Sequence, residues 1–299
     1  MIERMLRFVR FKKNGLNLDH VGIIYSSKQP VRNIEKRPIM TAMTKRPDDR
    51  LAAVFISDLH LHPEAPLITA RFNRFIEWAA QNTKVVYILG DFFHAWAGDD
   101  SIDSWSKSIA KRLFWLSQQQ VTIYFMHGNR DFLLGKAFAD LAGMIILPEP
   151  AIIQLGDTRM LLVHGDRYCT NDKGHQWFRR LTRNRWFSHF FLRFPYKVRA
   201  QLVSKIRQHS QTNRSKPYSK MDVVVSDMIE HMQKYKVATL IHGHTHKPGL
   251  INHCYNEIMY SQYVLSDWDD NPVLLCYDES IGIFFNQLEL IEVSRYANS

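Results

Sequence analysis

The chain has 299 residues, 45% hydrophobic and 23% charged, the composition of a soluble globular protein with length for one large domain and a sizeable core. Three scattered cysteines, Cys169, Cys254 and Cys276, argue against a disulfide framework and fit a reducing compartment, and no apolar run reaches the roughly 18 residues of a membrane-spanning helix. The formal net charge of +10 points to an anionic partner: nucleic acid, a phosphorylated substrate or an anionic membrane surface.

Residues 1–50 are rich in Lys, Arg, Pro and Asn and show no clear period, so they read as an extension, poorly ordered or loosely docked. Their first stretch, "MIERMLRFVRFKKNG", has no apolar core and no small-residue cleavage site and does not read as a secretory signal. Met40 and Met43 stand just before the ordered pattern and leave an internal start open. From Leu51 short apolar runs recur: "LAAVFIS", "KVVYILG", "VTIYFMHG", "RMLLVHGD" and "KVATLIHGH". Each stops at Gly, Asp, His or Asn, as buried strands ending in polar loops do. Between the first three runs, Leu67, Ile68, Phe72, Phe75, Ile76 and Ala79 share one predicted helix face, and Trp105, Ile109, Leu113 and Leu116 another. This alternation predicts an α/β core. After Gly249, "IMYSQYVLSDW", "PVLLCYDE" and "IGIFFNQLELIEV" read as successive strands or hairpins.

Residues 175–220 interrupt that alternation. They hold twelve Lys and Arg and no Asp or Glu, interleaved with Trp177, Phe178, Trp186, Phe187, Phe190, Phe191, Phe194 and Tyr196. A helix hairpin inserted between two core strands accounts for the length, and the composition fits an interfacial element on anionic lipid or a groove for a nucleic acid.

The chemistry gathers at the strand ends. They offer Asp58, His60 and His62; Asp91, His94, Asp99 and Asp100; His127, Asn129, Arg130 and Asp131; His164, Asp166 and Asp172; and His242, His244 and His246. In an open α/β sheet, ligands collect outside the carboxyl ends of the strands. Carboxylate, imidazole and amide donors without a thiolate pair suit a divalent ion such as Mn²⁺, Fe²⁺ or Zn²⁺. So many donors suit two ions roughly 3.5–4 Å apart. The order DxH, GD, GNxD, HGD, GHxH is specific as a set, although each element alone is weak. No G-x-S-x-G elbow, P-loop or G-x-G-x-x-G is present, and a catalytic Cys169 would leave four strand ends unexplained.

With these motifs the chain, from about Leu51 to Asp270, resembles the calcineurin-like metallophosphoesterases. The resemblance implies an α/β (α+β) fold: a two-sheet β-sandwich core flanked by helices, within a domain 51–299 that carries a helical cap at about 173–222. It implies that Asp58, His60, Asp91 and His246 hold one metal and that Asp91, Asn129, His164 and His244 hold the other, with Asp91 bridging. Since HGHTH supplies one ligand to each metal, His242 is left as an ordinary strand-end histidine.

"DLHL", "GDFFHAWAGDD", "HGNRDFLLG", "LPEP", "VHGDRYCTND" and "IHGHTHKP" are together similar to one group within that superfamily, the UDP-2,3-diacylglucosamine hydrolases of lipid A biosynthesis. This narrower resemblance implies two Mn²⁺ per chain and hydrolysis of an acylated UDP-sugar to UMP and 2,3-diacylglucosamine 1-phosphate (lipid X). It implies a peripheral position on the cytoplasmic face of the bacterial inner membrane. It also implies substrate contacts from Asn129, Arg130, Asp172, Asn213, Lys216 and His244, with Asn129, Arg130 and His244 catalytic. A cap of this kind lines an acyl chamber and turns its cations to diphosphate and anionic lipid. The chain departs from that pattern at His94, where an acid is usual, at Asn171 and at His209, and residues 1–50 have no counterpart. A nuclease or a cyclic-nucleotide phosphodiesterase shares the metal motifs. The basic charge favours a nuclease, whereas the aromatic content of the cap favours a lipid. A non-catalytic scaffold predicts missing ligands, and all seven are present.

Overall fold

The computed structural model describes residues 50–212, 222–269 and 272–287. Two sheets face each other. The first has six strands in the order β11-β10-β1-β2-β3-β4 and the second five, in the order β5-β6-β7-β9-β8. In the first sheet β1 (Ala53–Ile56), β2 (Val85–Ile88), β3 (Thr122–Met126) and β4 (Met144–Leu147) run parallel, and β10 (Val273–Asp278) and β11 (Gly282–Gln287) add antiparallel. In the second, β6 (Thr158–Leu162), β7 (Thr239–His242) and β9 (Ile258–Val264) run parallel, flanked by β5 (Ala151–Leu155) and β8 (Gly249–Tyr255).

β1 shows why such strands read as unbroken apolar runs. Ala53 and Phe55 face the layer between the sheets, and Val54 and Ile56 face the helices outside. The inter-sheet layer adds Leu89 and Met126 from one side and Met160, Leu162 and Ile241 from the other. Helices α1 (Pro66–Asn82), α2 (Ser104–Gln118) and α3 (Lys136–Ala142) cover the outer face of the first sheet, and α7 (Val225–Lys234) covers the second with Met228, Ile229 and Met232. Proline opens α1, where its missing N–H costs nothing. Asp103 and Ser106 form a reciprocal capping box at α2. Gly143, at φ 64°, closes α3. Leu67, expected on the buried face of α1, is 61% exposed because the helix turns its first residues outward. Strands β4, β5 and β8 and helices α3 and α7 are additions to the sequence reading. Helix α3 is too short to show a period, and most of β8 is exposed, so it lacks an apolar alternation.

Three helices, α4 (Lys173–Thr182), α5 (Arg185–Phe191) and α6 (Tyr196–Thr212), occupy the basic segment where a hairpin was expected. The expectation that its cations face substrate and lipid is corrected for three of them. Arg179 donates to Asp166 Oδ1 at 3.1 Å and to Glu149 Oε2 at 2.9 Å. Arg183 donates to the His127 carbonyl at 2.9 Å and lies 3.3 Å from Glu149 Oε2. Arg199, 1% exposed, donates to the Phe194 carbonyl at 2.8 Å and also to the Ala97 carbonyl and the Asp100 carboxylate. The cause is local pairing: buried Asp166 and Glu149 need counter-cations and take Arg179 and Arg183, while Arg199 is held by two carbonyls and Asp100. Lys173, Arg180, Arg193, Lys197 and Lys205 stay exposed, beside Trp177, Trp186 and Phe190.

Arg199→Met keeps the volume but removes the strut. Asp100, 55% exposed, re-solvates, so the expected cost is about 2–4 kcal/mol, mostly from two orphaned carbonyls. Limited proteolysis should then cut within residues 192–206 faster than in wild type, with the core unfolding transition little moved. An unchanged cleavage rate contradicts the strut role.

Candidate metal centre

The chain leaves β1 through Ser57 and turns sharply at Asp58 (φ 56°) and His60 (φ 53°). The turn is zipped to the loop after β2: Asp58 N–H donates to Gly90 O at 3.1 Å, His60 N–H to Asp91 O at 3.0 Å and Leu61 N–H to Phe92 O at 2.9 Å. Asp91 (φ 52°), His244 (φ 68°) and His246 (φ 54°) share the left-handed conformation, so five of the nine non-glycine residues with positive φ among the described residues are expected metal ligands. Such strain persists only where the surroundings over-determine it, and it clusters at functional sites.

The side chains converge. Oxygen and nitrogen atoms of Asp58, His60 and His246 lie within 4.8 Å of one another, and so do those of Asp58, Asp91 and His164. Asp58 Oδ2 accepts from Ser57 Oγ at 2.6 Å and from His244 N–H at 2.8 Å. Its Oδ1 accepts no hydrogen bond and lies 3.4 Å from His246 Nε2. His164, fully buried, donates Nδ1–H to the Leu89 carbonyl at 2.9 Å, which turns the Nε2 lone pair toward Asp91 Oδ1 at 3.7 Å. His246 Nδ1 faces Asp267 Oδ2 at 3.2 Å in the same arrangement. The Asn129 amide, with its nitrogen toward Asp91, donates to Oδ2 at 3.0 Å and to His164 Nε2 at 3.0 Å. The His244 ring is 5.1 Å from that of His164. Thus Asp58, His60, Asp91, Asn129, His164, His244 and His246 are brought together, and Asp58 is the carboxylate common to both clusters.

The donor set fits divalent metal. Both ring nitrogens of His60 are buried without a hydrogen-bond partner, as is Asp58 Oδ1. Buried polar atoms of this kind are costly unless something binds them. Burial pulls His60 and His244 down to about 3, which keeps both imidazoles neutral and able to ligate. Burial also opposes charge on His246, but the carboxylates of Asp267 and Asp58 facing its two ring nitrogens outweigh that and raise it to about 10. Two glycines of the motifs have a steric reason. A Cβ on Gly128 would sit 2.1 Å from Asp91 Oδ1, and one on Gly243 would sit 2.2 Å from Asp58 Oδ2.

Other strand-end residues serve as scaffold. Asp131 accepts from Gly128 N–H at 2.7 Å and Phe92 N–H at 2.7 Å, tying the loops after β2 and β3; burial and the adjacent Asp91 push its carboxyl up to about 6. Asp99 accepts from Trp96 Nε1, Gly135 N–H and Phe138 N–H. His127 Nε2 donates to Leu134 O at 2.7 Å. His242 donates Nδ1–H to Gly243 O at 2.7 Å and accepts from Gln262 at 2.8 Å. Asp172 caps α4 by accepting from His175 N–H at 3.1 Å. Asn213 and Lys216 lie outside the described residues. Arg130 stays at the centre: its N–H donates to Asp91 Oδ1 at 2.9 Å and its Nε lies 3.3 Å from Asp91 Oδ2.

One residue absent from the sequence reading also reaches the site. His175, on α4, places its ring 5.3 Å from that of His244 and its Nε2 3.8 Å from Asp166 Oδ2. Its signal was faint, one helical turn after Asp172. Beside the cluster, a cavity of about 370 Å³ opens between the core and α6, lined by Leu61, Phe93, Trp96 and Trp105 on one side and Tyr196 and Val203 on the other.

A family model described as calcineurin-like phosphoesterase matches residues 52–248. The UDP-2,3-diacylglucosamine hydrolases of Shigella dysenteriae serotype 1 (strain Sd197) and Escherichia coli O81 (strain ED1a) are each 42% identical to the chain over 219 residues, covering 73% of it and 91% of their own length. Among solved structures, an archaeal phosphodiesterase aligns with a TM-score of 0.39 at 14% identity, over 79% of this chain and 99% of that one. Extent and identity together place the chain in the calcineurin-like phosphoesterase family and, within it, among the UDP-2,3-diacylglucosamine hydrolases.

Proposed function

We propose that this chain hydrolyses the pyrophosphate bond of UDP-2,3-diacylglucosamine to UMP and lipid X, using two Mn²⁺. The observation that carries the reading is the buried imidazole–carboxylate cluster beside an apolar cavity roofed by a helical cap that has no Asp or Glu in residues 175–220. Residues 51–299 act in this reading as one domain with its cap at 173–222, preceded by the extension 1–50. The seven donors Asp58, His60, Asp91, Asn129, His164, His244 and His246 would hold the metals, whose chemistry is to lower the pKa of a water and neutralise phosphoryl charge.

The remaining work belongs to the side chains. Arg130 keeps its guanidinium against Asp91, and a guanidinium has N–H donors beyond Nε that suit a phosphate oxygen. The Asn129 amide and His244, fixed by their neighbours, orient the same group. The cavity takes acyl chain and excludes water from the diphosphate. Exposed Trp186 and Phe190 with Arg180 and Lys197 suit the surface of an anionic bilayer, on the cytoplasmic side of the inner membrane. Among the described residues no helix is long and apolar enough to cross a membrane.

Incubation with UDP-2,3-diacylglucosamine and Mn²⁺ should yield UMP. Release of UDP, or preferential cleavage of a nucleic acid or a cyclic nucleotide, overturns the reading in favour of another phosphoesterase specificity.

A further inference from the structure

Arg130 is held from two sides by groups of unequal charge. Asp91 lies on one side, 3.3 Å from Nε. On the other, Arg130 Nη1 lies 3.3 Å from His94 Nδ1. A guanidinium has no acceptor and keeps its protons, so Arg130 is the donor and His94 Nδ1 offers its lone pair. The imidazole proton is then on Nε2 and the ring is uncharged.

The backbone fixes where that ring stands. His94 N–H donates to Leu61 O at 3.0 Å, which pins the loop after β2 to the loop after β1. The ring packs 5.0 Å from His62 at 45°, and both histidines line the cavity under α6. His94 thus forms part of the chamber wall on one side and meets the guanidinium on the other.

We infer that His94 is a positioning residue that orients Arg130 through an uncharged acceptor and leaves its positive charge available to an incoming diphosphate. A carboxylate in that place would orient Arg130 as well, but it would form an ion pair that the anionic ligand has to compete with. The inference concerns phosphate recognition, and its link to UDP-2,3-diacylglucosamine rests on the function proposed above.

The test compares His94→Glu with His94→Gln, side chains of nearly equal size that both present an oxygen to Arg130 but differ in charge. With UDP-2,3-diacylglucosamine, KM should rise about tenfold in His94→Glu, with a smaller change in kcat, and His94→Gln should recover most of that loss. The Kd of inorganic pyrophosphate, measured by calorimetry on the metal-loaded protein, should follow the same order and should separate the two variants less at high salt. If the protein does not cleave UDP-2,3-diacylglucosamine, the proposed function falls while the pyrophosphate measurement still decides this point. Equal pyrophosphate Kd values for the Glu and Gln variants would overturn the inference, because a purely steric role does not distinguish them.

Discussion

Asp91→Ala is expected to lose metal and activity together, with kcat/KM falling by about 10³-fold or more. The carboxylate makes four contacts with three residues: Arg130 N–H at 2.9 Å, Arg130 Nε at 3.3 Å, His164 Nε2 at 3.7 Å and the Asn129 amide. Its removal leaves Arg130 without its fixed anion and His164 without the charge that favours its proton or its ligand. Desolvation pulls the other way, so the buried imidazole is no longer well supported. Truncation should therefore disorder the loop after β3 as well as remove a donor. Metal analysis of the purified variant beside steady-state kinetics checks this. A metal-replete, active Asp91→Ala protein contradicts the role assigned to the residue.

Stringent chelation is expected to abolish turnover and to lower Tm by about 10 °C or more, with both restored by added Mn²⁺. The stability half of the expectation comes from the backbone. Left-handed conformations at Asp58, His60, Asp91, His244 and His246 cost on the order of 1–3 kcal/mol each. Their sum is comparable to the whole net stability of a domain, about 5–15 kcal/mol. The unpartnered Asp58 Oδ1 and the two ring nitrogens of His60 add to it. Calorimetry of apo and reloaded protein measures the difference. A Tm that chelator does not move, with activity intact, rules out the metal centre.

What the sequence reveals of this site follows from how its residues are stationed. The donors stand in short strings at strand ends, and a strand end is visible wherever an apolar run stops at Asp, His or Gly. The same rule over-collects. Asp99 and Asp131 satisfy buried N–H groups, and neither residue type nor spacing separates that duty from ligation. The direction of a long side chain is equally hidden. Arg179 and Arg180 are adjacent in one basic helix, yet the first is half-buried against Asp166 and Glu149 and the second is exposed. The difference is set by acids far away in the chain. In the fold, the doubly buried strands are legible and β8 is not, because most of its side chains face solvent. The left-handed turns are hidden for another reason: the positive-φ ligand positions carry Asp and His rather than glycine, and alternation along an extended strand would place His242, His244 and His246 on one side.

Those turns occur as a matched pair. Asp58-x-His60 follows β1 in one sheet and His244-x-His246 follows β7 in the other, with both outer residues of each tripeptide left-handed. Asp91 and Asn129 join the first contribution, and His164 joins the second. An ion held by donors from both sets is a cross-link between the two layers of the sandwich, placed at one end of their common core. Sliding of one sheet over the other would be felt at once as a change in ligand spacing. Hydrogen exchange should accordingly slow on metal loading in β1 and β7 alike, although the two strands share no backbone hydrogen bond.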